Sequence, residues 1–396
     1  MNDAPQKTRF PAVIAIVVTI IVLVPSLLYL FRDSLPQSSL VNLGDRAFGE
    51  LSVDQAATQE ALSGKGASAD ESKPSLYPIV VDEFPYPEYS EKYEYLYEGT
   101  LPDLSTIDPT VYRRVGTLSL PSSISSAFSD LTLGILPLSN FKNLELLNLT
   151  LAEEDDSGFS VVVDVATNSF SISRNQGYWL ALDYSRVLRA SDIPSDEVLI
   201  NKADQFIRDY GVDTSGFGAP LVDRSYFDLD NWVPESVSVT YPYIINGQSV
   251  WSTGGQPSGM SVTVNIRSGE VDGLWTIGPS TLEASTYTLV TDPTTILEAA
   301  SRGSLWDYVP ENPTVTYTFL LGEPELVLAE HYQYATDGTT STLYVPALKF
   351  PITQEDPDAP YHQRSWVVVP LVQDILDETA PQPYVEEGVE KLEVEK

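Results

Sequence analysis

The sequence predicts an α+β protein: a single N-terminal transmembrane helix, then a β-rich outer region holding two helix-on-antiparallel-sheet units. Three observations predict it. From Phe10 to Phe31 the chain runs through 22 residues without a charged side chain. Beyond it, short runs alternate apolar and polar residues between Asn-Gly, Asp-Gly and Ser-Gly turns. Twice, at 195–277 and 292–352, a helical pattern precedes such strands.

The apolar run is long enough to cross a hydrocarbon core of about 30 Å, which takes roughly 20 residues. Lys7 and Arg9 precede it and Asp33 follows Arg32, so the positive-inside bias predicts a cytoplasmic leader over 1–9 and a C-terminal region outside the plasma membrane. A cleaved signal peptide would also export the chain, but its apolar region normally runs about 7 to 15 residues and ends at a small-x-small site. Here the exit is Tyr29-Leu30-Phe31-Arg32, which is bulky and charged.

Composition narrows the partners. With 22 Lys and Arg against 56 Asp and Glu the net charge is -34, which excludes nucleic acid and disfavours direct docking on anionic lipid. There is no cysteine, so an exported chain of this length relies on its core rather than on disulfides, as prokaryotic envelope proteins do.

The stretch 32–76, rich in Ser, Gly, Ala and acids, reads as a flexible stalk. A first module over 77–190 is β-rich: it opens on a tyrosine-rich stretch, Tyr77 to Tyr97, that either packs on the body or forms a partner strip. Within it, strand patterns around Leu149–Leu151, Phe159–Val165 and Phe170–Ile172 are separated by the acidic turn at 153–158 and by Asn168.

A second module over 191–280 starts with a helix. Leu199, Ala203, Phe206, Ile207 and Tyr210 fall on one helical face, with Pro194, Asp196 and Glu197 at its start and Gly211 past its end. Next comes a hairpin from Ser236 to Trp251 across Asn246-Gly247, a dipeptide that suits a type I′ turn. Strands at Met260–Ile266 and Glu270–Ile277 follow, joined at Ser268-Gly269. In the third module, 281–380, Asp292, Pro293 and Gly303 frame a short helix, and strands at Thr314–Leu321, Leu326–Tyr334, Ser341–Phe350 and Ser365–Pro370 come after it. Residues 381–396 form an acidic tail.

The helix ending near Gly211 and the hairpin of 261–274, SVTVNIRSGEVDGL, resemble the PepSY domain, with Val262, Val264, Ser268, Gly269, Glu270 and Val271 matching its small pattern. The layout over 190–375 is similar to the extracytoplasmic YycH/YycI-type proteins. That resemblance implies regulation by contact with a partner, such as a membrane sensor kinase, and no catalytic residue.

Motifs for chemistry are sparse. The only histidines, His331 and His362, lack ligand spacing for zinc. Acidic clusters at Glu153–Asp156, at Asp228, Asp230 and Asn231, and at Glu355, Asp356 and Asp358 either bind calcium or are ordinary turns; none has EF-hand spacing. Gly255-Gln256-Pro257-Ser258-Gly259 looks like a serine-hydrolase elbow, but proline precedes the serine. No phosphate loop or other cofactor motif is present. Tyr241, Tyr243 and Trp251 along the Asn-Gly hairpin are the candidate partner-binding residues, with core packing as the alternative.

The sequence therefore predicts a non-enzymatic, single-pass protein that binds a membrane or envelope protein and takes no cofactor. An envelope module for a peptide, a glycan or calcium is the second reading, and a carboxylate-based hydrolase the third.

Overall fold

The computed structural model describes residues 40–51, 91–115, 147–165, 167–222, 224, 233–278, 281–305, 313–334, 340–359 and 364–378, and the findings below concern these residues. Seventeen strands and four α-helices lie among them, and the strands form one sheet of seven and one of ten.

The seven-stranded sheet is antiparallel throughout. Its order is β4 (Asn148–Ala152), β5 (Phe159–Asp164), β6 (Ser169–Arg174), β12 (Val271–Ile277), β11 (Gly259–Asn265), β8 (Ser236–Pro242) and β7 (Leu221–Val222). Period-two alternation puts Val237, Val239 and Tyr241 of β8 with Met260, Val262 and Val264 of β11 on one buried face. Helix α2 (Asp196–Asp209) covers that face with Leu199, Ala203, Phe206 and Ile207, and the shorter α1 (Gln176–Ala181) follows β6. Gly211, at φ 64°, ends α2: its N–H and that of Val212 reach the carbonyls of Arg208 and Ile207, as in a Schellman motif.

The ten-stranded sheet is mixed. Its spine is the 15-residue β16 (Thr340–Gln354). Along one edge of β16 run β15 (Glu325–Tyr334) and then β14 (Val315–Leu321); along the other run β3 (Thr110–Val115) and then β17 (Trp366–Pro370). Outward from β3 come β13 (Thr281–Thr286) and β1 (Leu40–Asp45); outward from β15 come β10 (Gln248–Ser252) and β9 (Ile244–Ile245); β2 (Glu91–Tyr97) flanks β14. Three of these pairs are parallel: β1 with β13, β10 with β15 and β2 with β14. The sheet buries a core of Trp251, Phe319, Val345, Leu348 and Phe350, against which α3 (Pro293–Ser301) packs Ile296, Ala299 and Ala300, and α4 (Gln373–Glu378) packs Ile375.

These findings correct the predicted fold class. The protein is mainly β, and neither sheet is a helix-plus-hairpin unit. The first sheet takes β4 to β6 from the 77–190 stretch, and the second is mixed and recruits β1, β2, β3 and β10 from outside 281–380. Alternation reveals strands, but it does not name their partners, and parallel pairs join segments more than 70 residues apart in sequence. The membrane-spanning part of the prediction is corrected with it. No helix among the described residues is long and apolar enough to cross a membrane. The longest, α2, has fourteen residues and an amphipathic face. The run Phe10–Phe31 lies outside the described residues, so the single-pass membrane assignment is not carried forward.

Residues 40–51, inside the stretch whose composition reads as a stalk, are part of the body. After β1 the chain becomes a strap that buries Phe48 and Leu51 in the main core. Arg46 donates to both carboxylate oxygens of Asp374 at 3.2 and 2.8 Å. The Tyr287 hydroxyl accepts from Phe48 N at 3.1 Å and donates to Gly49 O at 3.0 Å.

Candidate functional site

The aromatics singled out along the Asn-Gly hairpin separate into three cores. The turn itself forms as the dipeptide demands, with Asn246 at φ 49° and Gly247 at φ 80°. Yet β8 stays in the seven-stranded sheet while β10 crosses to pair with β15 in the other. Tyr241 is buried under α2 and donates its hydroxyl to Asp204 at 2.7 Å; burial and that carboxylate push its pKa up. Tyr243 bridges the two sheets: it stacks on Phe217 at 4.8 Å, donates to Ile277 O and accepts from Ile277 N. Burial raises its pKa to about 12.

Trp251 is 2% exposed. Its ring meets Trp366 edge-on at 4.9 Å, and the Lys349 ammonium sits 4.0 Å from its centroid while bonding Glu325 at 2.8 Å. The structure does not bring the three residues together, and it leaves Tyr241 and Trp251 no surface to offer.

The other candidates are held in local structure. In the 153–158 turn, Glu153 accepts from Phe159 N at 2.8 Å and Asp155 from Ser157 N at 2.9 Å. Asp356 accepts from Thr318 N and Asp358 N, both at 3.0 Å. Among the described residues no group of three or more His, Asp or Glu side chains gathers as a metal site. Ser258 donates to Glu330 at 2.8 Å. The next residue, His331, faces the opposite side of the strand, where it is buried against the Leu51 backbone. Burial holds its pKa down to about 4, so the ring is neutral. Asp228, Asp230, Asn231, His362 and residues 77–90 lie outside the described residues, whereas Tyr95 and Tyr97 of β2 pack on Phe319 and Phe350 at 5.3 and 5.4 Å.

An open sheet edge is the surface that stands out. All six residues of β1 are exposed, among them Leu40 (61%), Val41 (43%) and Leu43 (42%). Successive side chains of a strand point to opposite faces, so exposure of both Leu40 and Val41 means that neither face of β1 is covered. One edge of β1 pairs with β13, from Leu40 opposite Leu282 to Asp45 opposite Thr286; among the described strands the other edge pairs with none. The Arg46–Asp374 pair and the Ser285 hydroxyl, which donates to Gly44 O at 2.7 Å, hold the strand against the body. Sequence reasoning missed it because a Ser- and Gly-rich neighbourhood surrounds it; the signal was the LVNL run at 40–43.

No protein-family profile matches the chain, and no curated protein sequence does. Among solved structures, it is similar to an uncharacterized protein from Eubacterium rectale at 10% identity and a TM-score of 0.29, over 68% of this chain and 85% of that one. So low a score supports no inference about fold or activity.

Proposed function

We propose that this chain is a non-enzymatic binding protein of the cell envelope, working outside the cytoplasm, whose β1 edge takes up an extended segment of a protein partner. The observation that supports this reading is the exposure of Leu40, Val41 and Leu43 on a strand whose outer edge pairs with no other strand among the described residues. Unpaired backbone N–H and C=O groups on such an edge are a template for another strand, and proteins usually blunt it with charge, proline or a cover. Residues 40–44 carry none of the first two. An added strand gains main-chain hydrogen bonds, and its alternate side chains gain the apolar contacts.

The chain's charge of -34, with Asp45 at the end of β1, favours a partner strand that is apolar with basic flanks. Contact with a partner is also what the PepSY and YycH/YycI-type resemblance implies, a sensor or envelope-complex subunit being the class it suggests. Export rests on the sequence of residues 1–33 alone.

A photo-crosslinking residue at position 43, expressed in cells, tests the reading, with one at the exposed Val187 as control. One protein should crosslink from position 43 and not from 187, and Val41→Pro should abolish its binding to the purified chain. Equal labelling from both positions, or binding indifferent to Val41→Pro, would refute it.

A further inference from the structure

The face of the seven-stranded sheet opposite α2 carries a second feature, independent of the β1 edge. Trp275 lies on β12, the fourth of the seven strands, and is 48% exposed. Trp179, Trp251 and Trp366 each contact another aromatic ring, whereas no ring or cation meets Trp275 among the described residues. A large ring standing alone at the centre of a sheet is an informative exception to burial.

A β-bulge puts it there. Thr263 of β11 opposes Gly273, but the next residue, Val264, opposes Val271, so Asp272 is the extra residue. Val271 and Leu274 both enter the core across that bulge. In an unbroken strand Trp275 would share the face of Val271; the bulge turns it to the opposite one, as bulges do where a side chain is re-aimed.

Around the ring the face is rich in hydroxyls, with Val162, Ile277 and Leu221 among them, and almost uncharged. Directly across from Trp275 are Ser171 on one side and Ser261 on the other; the same row continues through Val162 to Thr150 beyond Ser171 and through Thr240 to Leu221 beyond Ser261. The adjacent row runs from Ser173 through Gly273 to Thr263, and Gly273 carries no side chain there because a Cβ would lie 2.3 Å from the Ile172 carbonyl oxygen. In the three rows that pass through Gly273, Trp275 and Ile277, Asp164 is the only charged residue, in a chain where 56 of 396 residues are acidic. From β4 to β8 this surface spans about 24 Å.

We infer that the Trp275 face is a binding platform for a neutral polysaccharide. A pyranose presents an apolar C–H face that stacks on an indole, and equatorial hydroxyls that serine and threonine can both donate to and accept from. Charge selects the same occupant. A polyanion is repelled by the chain as a whole, a polycation finds no carboxylate row on this face, and a protein interface of this size would need more than one large apolar anchor.

Titration of the purified full chain with cellohexaose and chitohexaose, followed by tryptophan emission and calorimetry, tests this, with polygalacturonate as the anionic control. At least one neutral hexasaccharide should bind and polygalacturonate should not. Trp275→Ala should weaken binding at least about tenfold and Trp275→Tyr less than about threefold. If Trp275→Ala also lowers the unfolding midpoint, Ser171→Glu decides instead, because a charge beside the ring should weaken binding by a similar factor and leave the core untouched. Failure of both neutral probes to bind, binding that persists in Trp275→Ala or in Ser171→Glu, or equal binding of polygalacturonate would overturn the proposal. None of these results bears on the β1 edge.

Discussion

Replacing Trp251 by alanine separates a core role from a partner surface. The ring is fully packed: it touches Trp366, supports the Lys349 ammonium and donates Nε1 to Ser249 at 2.9 Å. Truncating a buried tryptophan costs about 3 to 5 kcal/mol through lost burial and the cavity left behind. Removing a desolvated cation–π partner adds ~1 kcal/mol, since the Glu325 carboxylate, which is largely exposed, still holds the lysine. The expected loss is therefore ~5 kcal/mol, a drop of about 10 °C or more in thermal midpoint. Trp251→Phe keeps a ring over Lys349 and should lose less than half as much. Urea and thermal unfolding of the purified chain, read by near-UV circular dichroism, measures both. If Trp251→Ala left both midpoints unchanged, the packing described for the ten-stranded sheet would be wrong.

Other substitutions probe other levels of the structure. His331 keeps a neutral ring to about pH 4, while an unfolded histidine protonates near 6.5, so the unfolded state binds the extra proton first. Stability should be full above pH 6.5 and fall by ~3 kcal/mol as pH drops to 4, and His331→Leu should flatten that part of the urea-unfolding profile. Asp272 behaves oppositely: burial raises its pKa against the hydrogen bonds from Ser236 and Asn265, so its contribution is largest at low pH and is lost as pH rises through the folded value. Asp272→Asn should gain on the parent as pH rises through the folded value in the same assay. Gly247→Ala meets no atom within 4 Å and should cost only the left-handed backbone penalty of about 1 to 2 kcal/mol. In Gly259→Ala the new Cβ would lie 2.0 Å from the Tyr241 carbonyl, so β8 and β11 must part and the loss should exceed that of Gly247→Ala clearly.

Local chemistry in this chain was readable from the sequence, and long-range pairing was not. The five apolar residues from Leu199 to Tyr210 place α2 and its buried face, because helix period and caps are written within one turn of each other. Asp292 and Pro293 do the same for α3, where the Asp292 carboxylate accepts from Thr295 N at 3.1 Å. Asn246-Gly247 gives the turn and not the destination of β10, which depends on β15, some 75 residues later. LVNLGD at 40–45 is too short, and too embedded in linker-like composition, to show that Thr281–Thr286 would pair with it.

Candidate sites followed the same division. Tyr241, Tyr243 and Trp251 alternate as neighbours on one hairpin, and the passage of the chain from β8 to β9 and β10, from one sheet to the other, sends them to different cores. Trp275 escaped notice for a related reason. Val271, Gly273, Trp275 and Ile277 read as one continuous face until the bulge at Asp272 is known.

The claim that β1 receives a partner strand is tested most directly by hydrogen exchange of residues 40–45, with and without the protein captured from position 43. Strand addition predicts that alternate amides of β1, those on the edge away from β13, gain at least about tenfold protection while β13 itself is unchanged. Protection confined to other surfaces, or no change along β1 at saturating partner, would contradict it.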